Sequence, residues 1–81
     1  MTSLKIRVFK DNDKKPETTV TIPLGVLKIA SKLIPKQAAS VLDKKGIDIN
    51  QILELSKKNV KGTLIEVEDH KKKEKIIIAI E

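Results

Sequence analysis

The stretch Lys75-Ile76-Ile77-Ile78-Ala79-Ile80 constrains the fold more than any other part of the chain. Five apolar residues in a row with β-branched character predict a strand. Successive residues of a strand point to opposite sides, so Ile76, Ile78 and Ile80 face one way while Ile77 and Ala79 face the other. A one-sided sheet would alternate apolar with polar. This strand asks for cover on both faces, and a chain of 81 residues has few elements to supply it. A partner surface is the natural source of the missing cover.

The length fits one small domain spanning residues 1–81, near the lower limit of what a single core stabilises. Domains of this size often rely on disulfides, a metal or oligomerisation. Cysteine is absent, which removes disulfides and thiolate metal sites. Phe9 is the sole aromatic residue, so the core must be aliphatic. No segment approaches the roughly 20 apolar residues of a membrane span. The opening Met1-Thr2-Ser3-Leu4-Lys5 lacks the apolar run of a signal peptide, and the expected location is cytoplasmic.

The remaining elements follow from changes of period. Leu4, Ile6 and Val8 alternate with Lys5, Arg7 and Phe9, a half-buried strand. The turn formers Asp11 to Pro16 break it, and Thr18 to Ile22 return as a second strand. After Pro23 the spacing becomes helical. Val26, Leu27, Ala30, Leu33 and Ile34 share an apolar face opposite Lys28 and Lys32, until Pro35 interrupts. A second helix is expected over about Lys36 to Lys45, with Ala38, Val41 and Leu42 inward and Gly46 as its left-handed stop. The third has a full start signal: Asp48 as N-cap, Gln51 three residues later, and Ile47 with Ile52 as a hydrophobic staple. Its inward residues are Ile49, Ile52, Leu53, Ser56 and Val60, with Asn59 and Gly62 as exits. Leu64, Ile65 and Val67, the turn Asp69 to Lys73, and the closing strand complete a second hairpin.

The expected order is β-β-α-α-α-β-β, an α+β fold whose two hairpins form an antiparallel four-stranded sheet with the helices on one face. If the hairpins join through the first and last strands, the closing strand is central. Ile77 and Ala79 then look away from the helices, with Phe9 beside them on the first strand.

Reactive groups are sparse. His70 stands in a charge-rich turn next to Asp69, and a general base needs a pocket and a positioned partner. Ser3, Ser31, Ser40 and Ser56 have no His/Asp set to activate one as a nucleophile. Asp11 with Asp13, and Glu66, Glu68 and Asp69, are oxygen ligands without the spacing of a calcium loop. Gly25, Gly46 and Gly62 are scattered singly, so no phosphate-cradling fingerprint exists. The sequence offers no catalytic, metal or cofactor residues.

The net charge of +6 raises the question of an anionic partner. Lys14, Lys15, Lys71, Lys72, Lys73 and Lys75 could track phosphates with salt-sensitive, sequence-indifferent affinity. Arg7 is the single arginine and stacking residues are nearly missing, so base readout lacks its usual tools. A solvated lysine-rich surface is the simpler explanation of the charge. The lysine-edged apolar face of Leu24 to Ile34 also has the pattern of a membrane-surface helix, though a small core has its own need for those side chains.

Two stretches carry a resemblance: Val20 through Pro35 (VTIPLGVLKIASKLIP), and Lys45-Gly-Ile-Asp-Ile-Asn-Gln-Ile-Leu-Glu-Leu55 leading to Lys61 through Asp69 (KGTLIEVED). They resemble the SHOCT-like N-terminal module of Gram-positive envelope-stress proteins of the YvlB and LiaX kind. The shared positions are caps, prolines and core residues. The resemblance implies a bacterial module for oligomerisation or partner binding and brings no catalytic residues with it. The expectation is a non-enzymatic module that self-associates, a homodimer being favoured, through Phe9, Ile77 and Ala79, or that uses them for another protein. Sequence-indifferent nucleic-acid binding through the lysine-bearing tips is the alternative.

Overall fold

The computed structural model describes residues 2–11 and 14–81. Four strands form one antiparallel sheet: β1 (Ser3–Lys10), β2 (Thr18–Pro23), β3 (Gly62–Asp69) and β4 (Glu74–Ile80). Their spatial order is β2-β1-β4-β3. Each hairpin pairs with itself, and the two join through β1 and β4, with Leu4 opposite Ile80, Ile6 opposite Ile78 and Val8 opposite Ile76. The closing strand is therefore central.

That register decides the core. Leu4, Ile6 and Val8 of β1, Ile22 of β2, Ile65 of β3, and Ile76, Ile78 and Ile80 of β4 are buried in one cluster with Leu24, Leu27, Ala38, Leu42 and Ile52 of the helical layer. A β-bulge between Thr63 and Ile65 keeps β3 in phase with this face. Leu64 is the extra residue there; it leaves Ile65 and Val67 beside Ile78 and Ile76 while Glu66 and Glu68 stay on the opposite side.

Two α-helices follow the expected signals. α1 (Lys36–Lys44) begins after Pro35 and ends in a Schellman motif. The Gly46 N–H donates to the Asp43 carbonyl at 3.0 Å and the Ile47 N–H to that of Leu42 at 2.9 Å. Gly46 takes φ 69°, the left-handed geometry for which it was expected. α2 (Ile49–Lys57) carries a complete capping box. The Gln51 N–H donates to Asp48 Oδ1 at 2.9 Å, and the Asp48 N–H to Gln51 Oε1 at 2.8 Å. At its far end Asn59, φ 60°, repeats the left-handed exit.

The first expected helix does not form. Leu24–Val26 and Ser31–Leu33 are two short 3-10 turns instead. Most of the local bonds span three residues, as from the Leu27 N–H to Leu24 and from the Leu33 N–H to Ala30. The cause lies at the ends and inside. Pro35 holds Ile34 extended at φ −68°, ψ 122°, while Gly25 and Ser31 weaken a helix already short. Without a 3.6-residue repeat, one apolar face cannot be kept. Leu24 and Leu27 are buried, and Ala30 and Ile34 pack on the core, but Val26 and Leu33 turn outward instead of inward, together with Ile29.

Candidate functional site

The outer face of the sheet is the side away from the helical layer. Across it run three rows set by the strand register: Lys5, Ala79 and Thr63; Arg7, Ile77 and Glu66; Phe9, Lys75 and Glu68. Phe9 and Ile77 are half-buried and stand apart from the core cluster. The structure thus brings them onto one face, in adjacent rows.

Ala79 shares the face but not the exposure. It is 2 % exposed, which removes it from direct contact with any partner. A methyl group between longer neighbours sits at the floor of the sheet. Glu81 follows β4 opposite Ser3, exchanging both backbone hydrogen bonds with it at 2.8 and 2.9 Å. From there its carboxylate reaches Arg7 Nη1 at 2.7 Å and Lys5 Nζ at 3.9 Å. Since Arg7 is opposite Ile77, the Arg7–Glu81 pair crosses the row of Lys5 and Ala79. The hydrogen bond from Arg7 holds the Glu81 carboxyl below the usual carboxylate range, with Lys5 adding to the same effect.

A second ion pair closes the other end of the face. Lys75 Nζ lies 2.9 Å from Glu66 Oε1 and 5.8 Å from the centre of the Phe9 ring. The Glu66 hydrogen bond raises the Lys75 pKa. Lys75, expected among the anion contacts, is thereby engaged on the sheet face and stands apart from the tips. Arg7 and Glu66 thus stand in the row of Ile77, and Lys75 in that of Phe9.

The remaining candidate cations gather at one end of the sheet. The Asp11 N–H donates to the Lys73 carbonyl at 2.8 Å, which fastens the two hairpin tips together. Lys14, Lys15, Lys71, Lys72 and Lys73 are all exposed there. Asp69 shapes the second tip: its Oδ1 accepts from the N–H groups of Lys71 at 3.0 Å and Lys72 at 3.2 Å. The Lys72 hydrogen bond leads in lowering the Asp69 pKa, and Lys44 contributes through space. Lys44 and Lys45, at the end of α1, line a groove of about 400 Å³ with Ser40, Asp69 and Lys72. Sequence reasoning missed this pair, since only tertiary packing places the end of α1 beside the β3–β4 tip.

The other sequence candidates stay apart. Asp69 is tied to its own turn, and exposed His70 has Nε2 3.6 Å from Glu68. Asp13 lies outside the described residues, so its pairing with Asp11 is not described. Among the described residues no three His, Cys, Asp or Glu side chains come together as metal ligands, and no helix is long and apolar enough to cross a membrane.

The model of the YvlB-like protein, C-terminal domain family matches residues 2–79. The chain belongs to this family. The match supports the YvlB part of the expected resemblance and corrects its placement, because the family is a C-terminal domain and not an N-terminal one. It carries no SHOCT-like designation. No curated protein matches the chain. No solved structure matches it either.

Proposed function

We propose that this YvlB-like domain is a non-enzymatic interaction module that self-associates, as a homodimer in the first instance, through the outer face of its sheet. One observation carries the reading: Ile77 of the central strand and Phe9 lie outside the core cluster, on the face opposite the one that, among the described residues, packs against the helical layer. An apolar centre framed by polar residues is the usual anatomy of a binding patch. Arg7 with Glu81 and Lys75 with Glu66 provide the frame. Ala79 supports it from below and is not itself a contact. The reading places the domain in the cytoplasm, which fractionation of cells would test.

The experiment is sedimentation of the pure protein beside Ile77→Lys. The substitution affects a half-buried outward residue, so the fold persists while the associated mass falls.

A second reading rests on the fastened tips. Lys14, Lys15, Lys71, Lys72 and Lys73, with Lys44 and Lys45 nearby, offer one cationic end to a phosphate backbone. Binding of this kind is sequence-indifferent and falls steeply with salt. A mobility shift on mixed DNA and RNA at two salt concentrations tests it. Loss of the shift in Lys71→Glu/Lys72→Glu/Lys73→Glu would support it, and no shift at low salt would rule it out.

A further inference from the structure

The segment between Pro23 and Pro35 is pinned to the core from one side and bare on the other. Leu24 and Leu27 are its buried anchors, with Ala30 and Ile34 packed against the core. Val26, Ile29 and Leu33 are 45 %, 85 % and 62 % exposed. Single exposed aliphatic residues need no explanation, but three within so short a segment form a ridge. The 3-10 turns produce it by abandoning the helical repeat. The ridge belongs to the helical layer, on the opposite side of the sheet from Ile77.

Its electrostatic setting is one-signed. From Thr18 to Leu42 the sequence contains no Asp or Glu, while Lys28, Lys32 and Lys36 fall in or beside the ridge. All three lysines are exposed. Among the described residues, none of them makes an ion pair, unlike Lys5, Lys10, Lys57 and Lys75 elsewhere on the surface. Apolar side chains interleaved with uncompensated lysines complement a surface that is greasy within and anionic at its boundary.

We infer that this ridge docks on an anionic lipid bilayer. Val26, Ile29 and Leu33 enter the boundary between headgroups and acyl chains, and Lys28, Lys32 and Lys36 extend their stems to the lipid phosphates. A bilayer suits the geometry better than a rigid protein groove. Its surface yields to a protruding ridge, and dispersed phosphates can follow three flexible ammonium groups without a fixed register. The ridge lacks aromatic anchors, so binding is shallow, reversible and sensitive to salt. The inference uses none of the residues of the outer sheet face and stands independently of self-association.

The test is co-sedimentation of the full chain with sucrose-loaded vesicles of equal parts phosphatidylglycerol and phosphatidylcholine, and with vesicles of phosphatidylcholine alone. Preferential binding to the anionic vesicles, weakening with salt, is expected. Ile29→Ser/Leu33→Ser should lower partitioning about tenfold, as should Lys28→Glu/Lys32→Glu, with far-UV circular dichroism unchanged because all four positions are exposed. Lys71→Glu/Lys72→Glu/Lys73→Glu should have little effect. Ile29→Trp gives a second readout in a chain without tryptophan: its emission should shift to the blue with anionic vesicles only. No preference for anionic vesicles would overturn the inference. So would binding that survives Ile29→Ser/Leu33→Ser yet disappears on reversal of the tip lysines. A fall in associated mass of Ile29→Ser/Leu33→Ser without lipid would assign the ridge to a protein contact and equally refute lipid docking.

Discussion

Arg7 Nη1 lies 2.7 Å from Glu81 Oε2, and this ion pair bridges β1 to the residue after β4 across the row of Lys5 and Ala79. Ala79, 2 % exposed on the outer face, has the longer side chains of Lys5, Arg7 and Glu81 as its neighbours in the register. On the outer face Ile77 sits in the row of Arg7 and Glu66, and Phe9 in the row of Lys75 and Glu68.

The pair sets a pH dependence. Glu81 has a folded pKa below its unfolded one, chiefly through the Arg7 hydrogen bond. Its contribution is complete above the unfolded carboxylate range, about 4.3 for glutamate, and is lost as pH falls through the lowered folded value. Asp69, lowered by its turn hydrogen bonds, acts with the same sign. Arg7→Ala should lower the urea midpoint at neutral pH and make the acid decline shallower, leaving the Asp69 component. Urea titrations at neutral pH and at about pH 3 measure both; an unchanged acid decline would contradict the assignment.

Adjacent residues of β4 should respond in opposite ways. Ile78 is fully buried at the centre of the core, so Ile78→Ala should cost about 3 kcal/mol. A domain of this size has roughly 4–12 kcal/mol in total, so the variant should stay folded in water but unfold at a clearly lower urea midpoint than the parent. Ile77→Lys should retain a cooperative transition. Chemical unfolding followed by circular dichroism distinguishes the two.

Local signals make separate, smaller contributions. Asp48→Ala removes one half of the capping box and should cost about 1 kcal/mol. Gly46→Ala places a side chain at φ 69° and should cost about 1–2 kcal/mol through backbone strain. The two sites lie at successive helix ends, so the double variant tests whether these costs add. A Gly46→Ala variant as stable as the parent would contradict the Schellman assignment.

What could be read from the sequence divides along the same line. Strand alternation, the Asp48/Gln51 box and the Gly46 stop act over a few residues, and the structure reproduces each. The central position of β4 is conditional in the sequence, holding if the hairpins join through the first and last strands, and the structure makes that join. The apolar spacing after Pro23 predicts a helix, but the backbone obeys the prolines, Gly25 and Ser31 first and forms two 3-10 turns. Val26 and Leu33, inward in the expected helix, therefore lie outside the core. Long-range pairings left no local trace. Arg7 and Glu81 pair across 74 residues, and Lys44 meets the β3–β4 tip only in the folded molecule.

Lysine at the tips is separable from lysine on the sheet. Lys75→Ala removes the partner of Glu66 and the cation beside Phe9, so it should alter the outer face and leave phosphate-dependent binding intact. Lys72→Ala should do the reverse. Comparing sedimentation and mobility shift for the two variants checks the division. Equal loss of both properties in either variant would contradict it.

Sedimentation equilibrium of the unmodified chain and of Ile77→Lys, over a wide concentration range at neutral pH, tests self-association through the outer sheet face most directly. The account predicts a concentration-dependent mass rising toward twice that of the chain, and a folded Ile77→Lys variant that stays at the mass of one chain. A parent protein that remains at one chain mass throughout, or a variant that associates as strongly as the parent, would contradict it.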